Sequence, residues 1–148
     1  MVTLGVRTLM RLYGLPLPLV TAATGHTVAL GAFMLLTSDY RFGAAGDFKL
    51  GLNETAIGLP LPGFAIELTE ARLSRRHLAQ ATLLARLYAP VAAVEVGFLD
   101  EVISADLLRP AAVAKAAEFA KFDAAAFAAS KHAQRGVAIA RVLQSLET

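Results

Sequence analysis

The sequence predicts an α/β domain followed by a helical C-terminal segment, and three observations carry that prediction. Short, β-branched apolar runs alternate with helix-spaced patterns through residue 104. A stretch rich in glycine and proline, Gly51 to Gly63, breaks that alternation with a loop. Residues 105–148 are then alanine-rich and read as helices with a break near Phe122-Asp123. The expected division is therefore a strand-bearing core over 1–104 and a helical segment over 105–148.

The elements follow in order. Leu4, Val6, Leu9, Met10, Leu12 and Tyr13 recur at helical spacing over residues 2–13, and Gly14 with Pro16 stops the run. Leu17 to Ala23 reads as a buried strand, and Thr24-Gly25-His26 as a turn. Ala29 to Leu36 is an apolar helix whose Gly31 and Ala32 permit close backbone approach. Asp39 to Gly43 reads as a second strand and Phe48-Lys49-Leu50 as a third. Beyond the loop, Ser74 is placed as N-cap of a helix over Arg75 to Leu87. Pro90 to Val96 is a short helix closed by Gly97, and Phe98 to Ile103 a short strand.

Composition narrows the function. The chain is 56% apolar and 18% charged, which excludes a disordered segment and suggests that part of its surface is covered by another subunit. Fourteen Lys and Arg against twelve Asp and Glu leave a net charge of +2, with no basic run, so nucleic acid is not an expected partner. Cysteine is absent, which removes disulfides, thiolate metal sites and a cysteine nucleophile. His26, His77 and His132 lack ligand spacing, so no metal site is expected, and His26 reads as a structural hydrogen-bonding residue. Leu12 to Ser38 carries no Asp, Glu, Lys or Arg, yet its prolines and two different patterns argue against a membrane span. No secretory signal is read at the N-terminus, so a cytoplasmic protein is expected and the sequon Asn53-Glu54-Thr55 is discounted.

The chemistry concentrates in one loop. Glu54 is a single carboxylate in a glycine-bounded bend, and taken alone such a group is most often solvated or a cap. Its setting is an ordered series: Thr24-Gly25-His26, Gly31-Ala32, Asp39-Tyr40-Arg41, then Phe48 through Gly58 with Gly51-Leu52-Asn53-Glu54-Thr55 at its centre. Ala92-Ala93-Val94-Glu95-Val96-Gly97-Phe98-Leu99-Asp100-Glu101-Val102 completes it. In order and spacing this series resembles the crotonase (enoyl-CoA hydratase/isomerase) family over residues 10–131. Asp-Tyr-Arg together with Gly-Leu-Asn-Glu-Thr looks closest to the Δ3,Δ2-enoyl-CoA isomerase branch.

The resemblance implies a spiral of short ββα units, with a C-terminal helical segment packed against neighbouring subunits in a trimer or a dimer of trimers. It also implies an acyl-CoA substrate, a place in fatty acid β-oxidation, and no cofactor beyond the CoA of the substrate. Family members bind the thioester oxygen with two backbone N–H groups, and Leu30 stands at one of those positions where the family usually has glycine. Hydratases of the family use two glutamates; here Glu54 matches one and Phe33 stands at the other. One carboxylate suffices to move a proton from C2 to C4, so the pair favours isomerase over hydratase, and Phe33 should desolvate Glu54. Asn53, Ile57 and Phe33 are the expected substrate-lining residues. Lys131 resembles a region that reaches CoA phosphates, although a plain exposed lysine is the commoner case. Family members carry a further N-terminal region, so a fragment is expected; a non-catalytic, shortened subunit is the alternative.

Overall fold

The computed structural model describes residues 2–147. Helix α1 (Val2–Tyr13) buries Val6, Leu9, Met10 and Tyr13, spaced at one and two turns. Gly14 follows, where an added Cβ would stand 2.9 Å from Ile139. Strand β1 (Val20–Ala23) is shorter than the expected run from Leu17. Pro16 and Pro18 lack N–H groups, and the ladder begins only where Val20 meets Tyr40.

Strand β3 (Tyr40–Ala44) lies between β1 and β5 (Glu101–Ile103), with both pairings parallel. A second, two-stranded parallel sheet was not legible in the sequence: β2 (Thr27–Val28) pairs with β4 (Leu50–Gly51). Helix α2 (Leu30–Thr37) follows β2, and a 3-10 turn over Thr55–Ile57 follows β4.

The expected helix over Arg75 to Leu87 is corrected. After α3 (Gly63–Arg72) the chain makes a turn, a single helical turn α4 (Leu78–Ala81), and further turns. Leu50 and Tyr88 exchange backbone hydrogen bonds of 2.9 Å in an isolated antiparallel bridge. Ala85 reverses the chain just before it with φ 51°. A tertiary pairing thus stops the helix after α4, short of the expected end at Leu87. By contrast α5 (Pro90–Val96) and its Gly97 stand as read. Gly97 has φ 108°, and a Cβ there would meet the Arg72 carbonyl at 2.8 Å.

Helices α6 (Ala105–Phe119) and α7 (Ala124–Ser145) flank the expected break, and Asp123 caps α7 by accepting from the Ala126 N–H at 2.8 Å. Within the chain α6 covers β1 and β3, and α7 packs on α1 and α3. Val142 of α7 belongs to the same core as Val6, Leu36, Leu68 and Phe98. No described helix is long and apolar enough to cross a membrane.

Candidate active site

Two parallel strands place the site. Because β2 and β4 run in the same direction, the segments that follow them leave from the same end of the ladder. One leads into the first turn of α2, the other into the loop carrying Glu54. The Ala29 N–H donates to the Gly51 carbonyl at 3.1 Å and fastens the two exits together. At the far end of the loop Phe64 of α3 packs edge-on against Phe33 of α2, with centroids 5.1 Å apart. The Glu54 loop is therefore tied to α2 at entry and exit.

Gly51 is required here: its φ is 140°, and a Cβ would press on the Arg86 carbonyl and Leu87 at 3.2 Å. Beyond it Leu52 is buried, and Glu54 opens the 3-10 turn, its carbonyl accepting from Ile57 and Leu59. The Thr55 hydroxyl donates to the Thr82 carbonyl at 3.3 Å and pins the turn from outside.

The Glu54 side chain is buried, at 9% exposure, and its Oε2 has no hydrogen-bond partner among the described residues. Leaving a buried polar atom unpaired costs about 1–3 kcal/mol, and more for a charged one. The carboxylate thus keeps a free acceptor in a setting that water barely enters.

At Leu30 the helix offers donors. Leu30, Gly31 and Ala32 form its first turn, whose N–H groups have no carbonyl one turn back within the helix. Ala29, just before them, has φ 53° and ψ −117°, a conformation that L residues rarely adopt. The Leu30 side chain is 57% exposed, so it turns away from the core while its backbone stays at the ladder exit. Phe33 is buried on the inner face against Phe64. Asn53 is half-buried and Ile57 exposed, both on the Glu54 loop.

Lys131 is placed elsewhere, and its reading as an exposed lysine is corrected. Its Nζ lies 2.7 Å from Asp39 and donates to the Leu17 carbonyl, with the residue 6% exposed. Asp39 follows the C-terminal end of α2, at the opposite end of the helix from Leu30. Burial pushes the Lys131 pKa down, against the opposing pull of Asp39. His26 has the structural role expected of it, Nδ1 accepting from the Lys49 N–H at 3.1 Å.

A concavity of about 690 Å3 between α1 and α7 does not include Glu54. Smaller ones of about 330 Å3 between the Pro16–Pro18 segment and α6–α7, and about 200 Å3 between α3 and α4, do not include it either. Phe64, Ala29 and Thr82 were not legible as site residues. Their parts depend on a ring contact, a positive φ and a distant carbonyl, none of which leaves a local pattern.

The family model for enoyl-CoA hydratase/isomerase matches residues 5–146. The chain belongs to that family. Human mitochondrial enoyl-CoA delta isomerase 1 is 32% identical to this chain over 111 residues, covering 74% of this chain and 37% of that protein. A solved enoyl-CoA hydratase/isomerase family protein from Pseudomonas syringae superposes with a TM-score of 0.92 at 37% identity, covering 97% of this chain and 62% of that one. A solved enoyl-CoA isomerase from Mycobacterium tuberculosis gives 0.93 at 35% identity, covering 99% and 65%. The chain therefore spans about a third of the length of the curated relatives it matches and under two thirds of these solved chains. The expected spiral α/β fold is that of the family.

Proposed function

We propose that this chain carries the proton-shuttling half of an enoyl-CoA isomerase, moving the double bond of a 3-enoyl-CoA to the 2-position. The observation that carries the reading is the buried Glu54 carboxylate with its unpartnered Oε2. In the proposed step that oxygen takes a proton from C2 of the acyl chain. The C2–H electron pair enters a dienolate whose charge rests on the thioester oxygen. The Leu30 N–H donates to that oxygen, at the free end of a helix where the aligned peptide dipoles favour negative charge. Glu54 then returns the same proton to C4, so the substrate gains and loses one proton and no water enters the balance.

Phe33 supports isomerisation over hydration. Adding water needs one group to activate it and another to deliver a proton, whereas Phe33 has no titratable atom. CoA enters as part of the substrate, and no resident cofactor is called for in this scheme. Assembly as a homotrimer or a dimer of trimers is part of the same proposal; exposed Leu107, Val113 and Val137 on the C-terminal helices support it. Such a reaction belongs in the degradation of unsaturated fatty acyl chains.

The test is turnover of a 3-enoyl-CoA by the chain and by Glu54→Gln. A fall in kcat of about 10²–10⁴-fold is expected, the usual reach of one acid/base group. Equal rates would remove Glu54 from the mechanism. Uptake of water by a 2-enoyl-CoA at a comparable rate would replace isomerisation with hydration.

A further inference from the structure

Glu54 has no hydrogen-bond partner for its Oε2 among the described residues, so the place of the carboxylate is set by the backbone that carries it. That backbone supports itself weakly. Glu54 opens a 3-10 turn of three residues, Thr55–Ile57, which Gly58 closes at φ 80° and Gly51 precedes at φ 140°. A single turn fixes many torsions for few hydrogen bonds and does not hold on its own. A proton-transferring base must nevertheless keep its carboxylate within about 0.5 Å of the working position. Contacts from elsewhere in the chain have to supply that precision.

One segment, residues 82–88, supplies them at both ends of the loop. The contacts run in antiparallel order: Leu50 with Tyr88, Gly51 with Arg86 and Leu87, Thr55 with Thr82. The segment is itself anchored on α4. The Thr82 hydroxyl donates to the Leu78 carbonyl at 2.7 Å, and the Arg86 N–H to the Gln80 carbonyl at 2.9 Å. The Thr82 carbonyl accepts from the Ala85 N–H as well as from Thr55, both at 3.3 Å. Ala85 adopts φ 51° in this reversal, a conformation uncommon for an L residue. Thr82 is buried, so the acceptor offered to Thr55 is fixed in place.

We infer that residues 82–88 hold Glu54 where it works, and that Thr55, through the Thr82 carbonyl, is a positioning residue for the carboxylate. This rests on the isomerase reading of Glu54 above and adds to it what fixes the base. Of the three contacts, only the Thr55 bond lies on the Glu54 side of Gly51, whose backbone lacks the restraint of a side chain. Loss of that bond leaves the turn tied only behind its glycine. The Thr55 side chain is exposed at the surface, so removing its hydroxyl opens no cavity in the core.

The experiment compares Thr55→Val, which keeps the side-chain shape without the donor, with Thr55→Ser, which keeps the donor. Initial rates on a 3-enoyl-CoA are read beside amide hydrogen exchange at Ile57 and Leu59, whose N–H groups donate to the Glu54 carbonyl. Thr55→Val should lower kcat about 10–100-fold, the cost of a base displaced by up to about 1 Å, with KM held within about threefold. Exchange at both amides should quicken, and Thr55→Ser should restore both readouts. Thr82→Val, which frees the end of α4, provides a second variant should the first not fold by circular dichroism, and should show the same fast exchange and lower kcat. Exchange and kcat that Thr55→Val leaves unchanged overturn the inference while the isomerase reading stands. Equal losses in Thr55→Val and Thr55→Ser, or a loss confined to KM, overturn it too. Fast exchange that serine reverses, in a chain whose unsubstituted form does not turn over a 3-enoyl-CoA, supports the tie and overturns the isomerase step.

Discussion

At the scale of single residues the decisive feature is a carboxylate held where a carboxylate is costly. Glu54 is buried with one oxygen unpaired, and no hydrogen bond among the described residues returns the cost of desolvating it. If it were there for stability, removing its charge would weaken the fold. Glu54→Gln is instead expected to leave the melting temperature level or raised while kcat falls, a split that thermal melts beside initial rates would read. Leu30 makes the complementary case. Its proposed contribution is a backbone N–H, so Leu30→Ala should hold kcat within about threefold, well short of the 10²–10³-fold that losing an oxyanion donor costs. A loss of that larger size would show that the side chain, and not the N–H, is what matters.

At the scale of elements, the site exists because short strands end at the same edge. The β2–β4 pair is two residues long on each side, yet it fixes where α2 and the Glu54 loop begin. Elements this short owe their stability to what packs on them, and Gly97 is the sharpest case. It closes α5 at φ 108° while the Arg72 carbonyl at the end of α3 fills the space a side chain would need. Gly97→Ala is expected to destabilise the fold by about 1–3 kcal/mol through strain and overpacking. Urea unfolding with an unchanged m-value would measure it. A cost below about 0.5 kcal/mol would mean that α3 and α5 can part freely.

At the scale of the whole molecule, Asp39 joins the two halves of the chain. Lys131 and Arg135 of α7 lie 2.7 and 2.9 Å from its oxygens, and its Oδ2 also accepts from the Leu19 N–H. Arg135 reaches further, donating to the Tyr13 carbonyl and stacking over the Tyr13 ring at 4.4 Å. Two buried cations share one carboxylate, so the two partners are not equivalent. Asp39→Asn strands both charges and should cost about 3–5 kcal/mol. Lys131→Met leaves Arg135 paired with Asp39 and should cost clearly less, and chemical denaturation of the two variants would rank them. Equal costs would contradict a shared carboxylate. The proposed trimer is settled separately: sedimentation should find three or six copies per particle, and a monomer at micromolar concentration would exclude it.

The sequence by itself determined the local features and the family. Helix α1, helix α5 with its glycine, and the break before α7 were legible because each is set by spacing or capping within a few residues. The Gly51-to-Thr55 segment was legible in the same way, from its glycine and from its order among the other motifs. Only the tertiary structure decided the rest. Residues 75–87 break because Tyr88 pairs with Leu50. Lys131 is buried because Asp39, remote in sequence, needs its charge. Glu54 is enclosed because β2 and β4 pair and Phe33 meets Phe64. Each of these outcomes depends on groups far apart along the chain, and periodicity records only what a residue's near neighbours require.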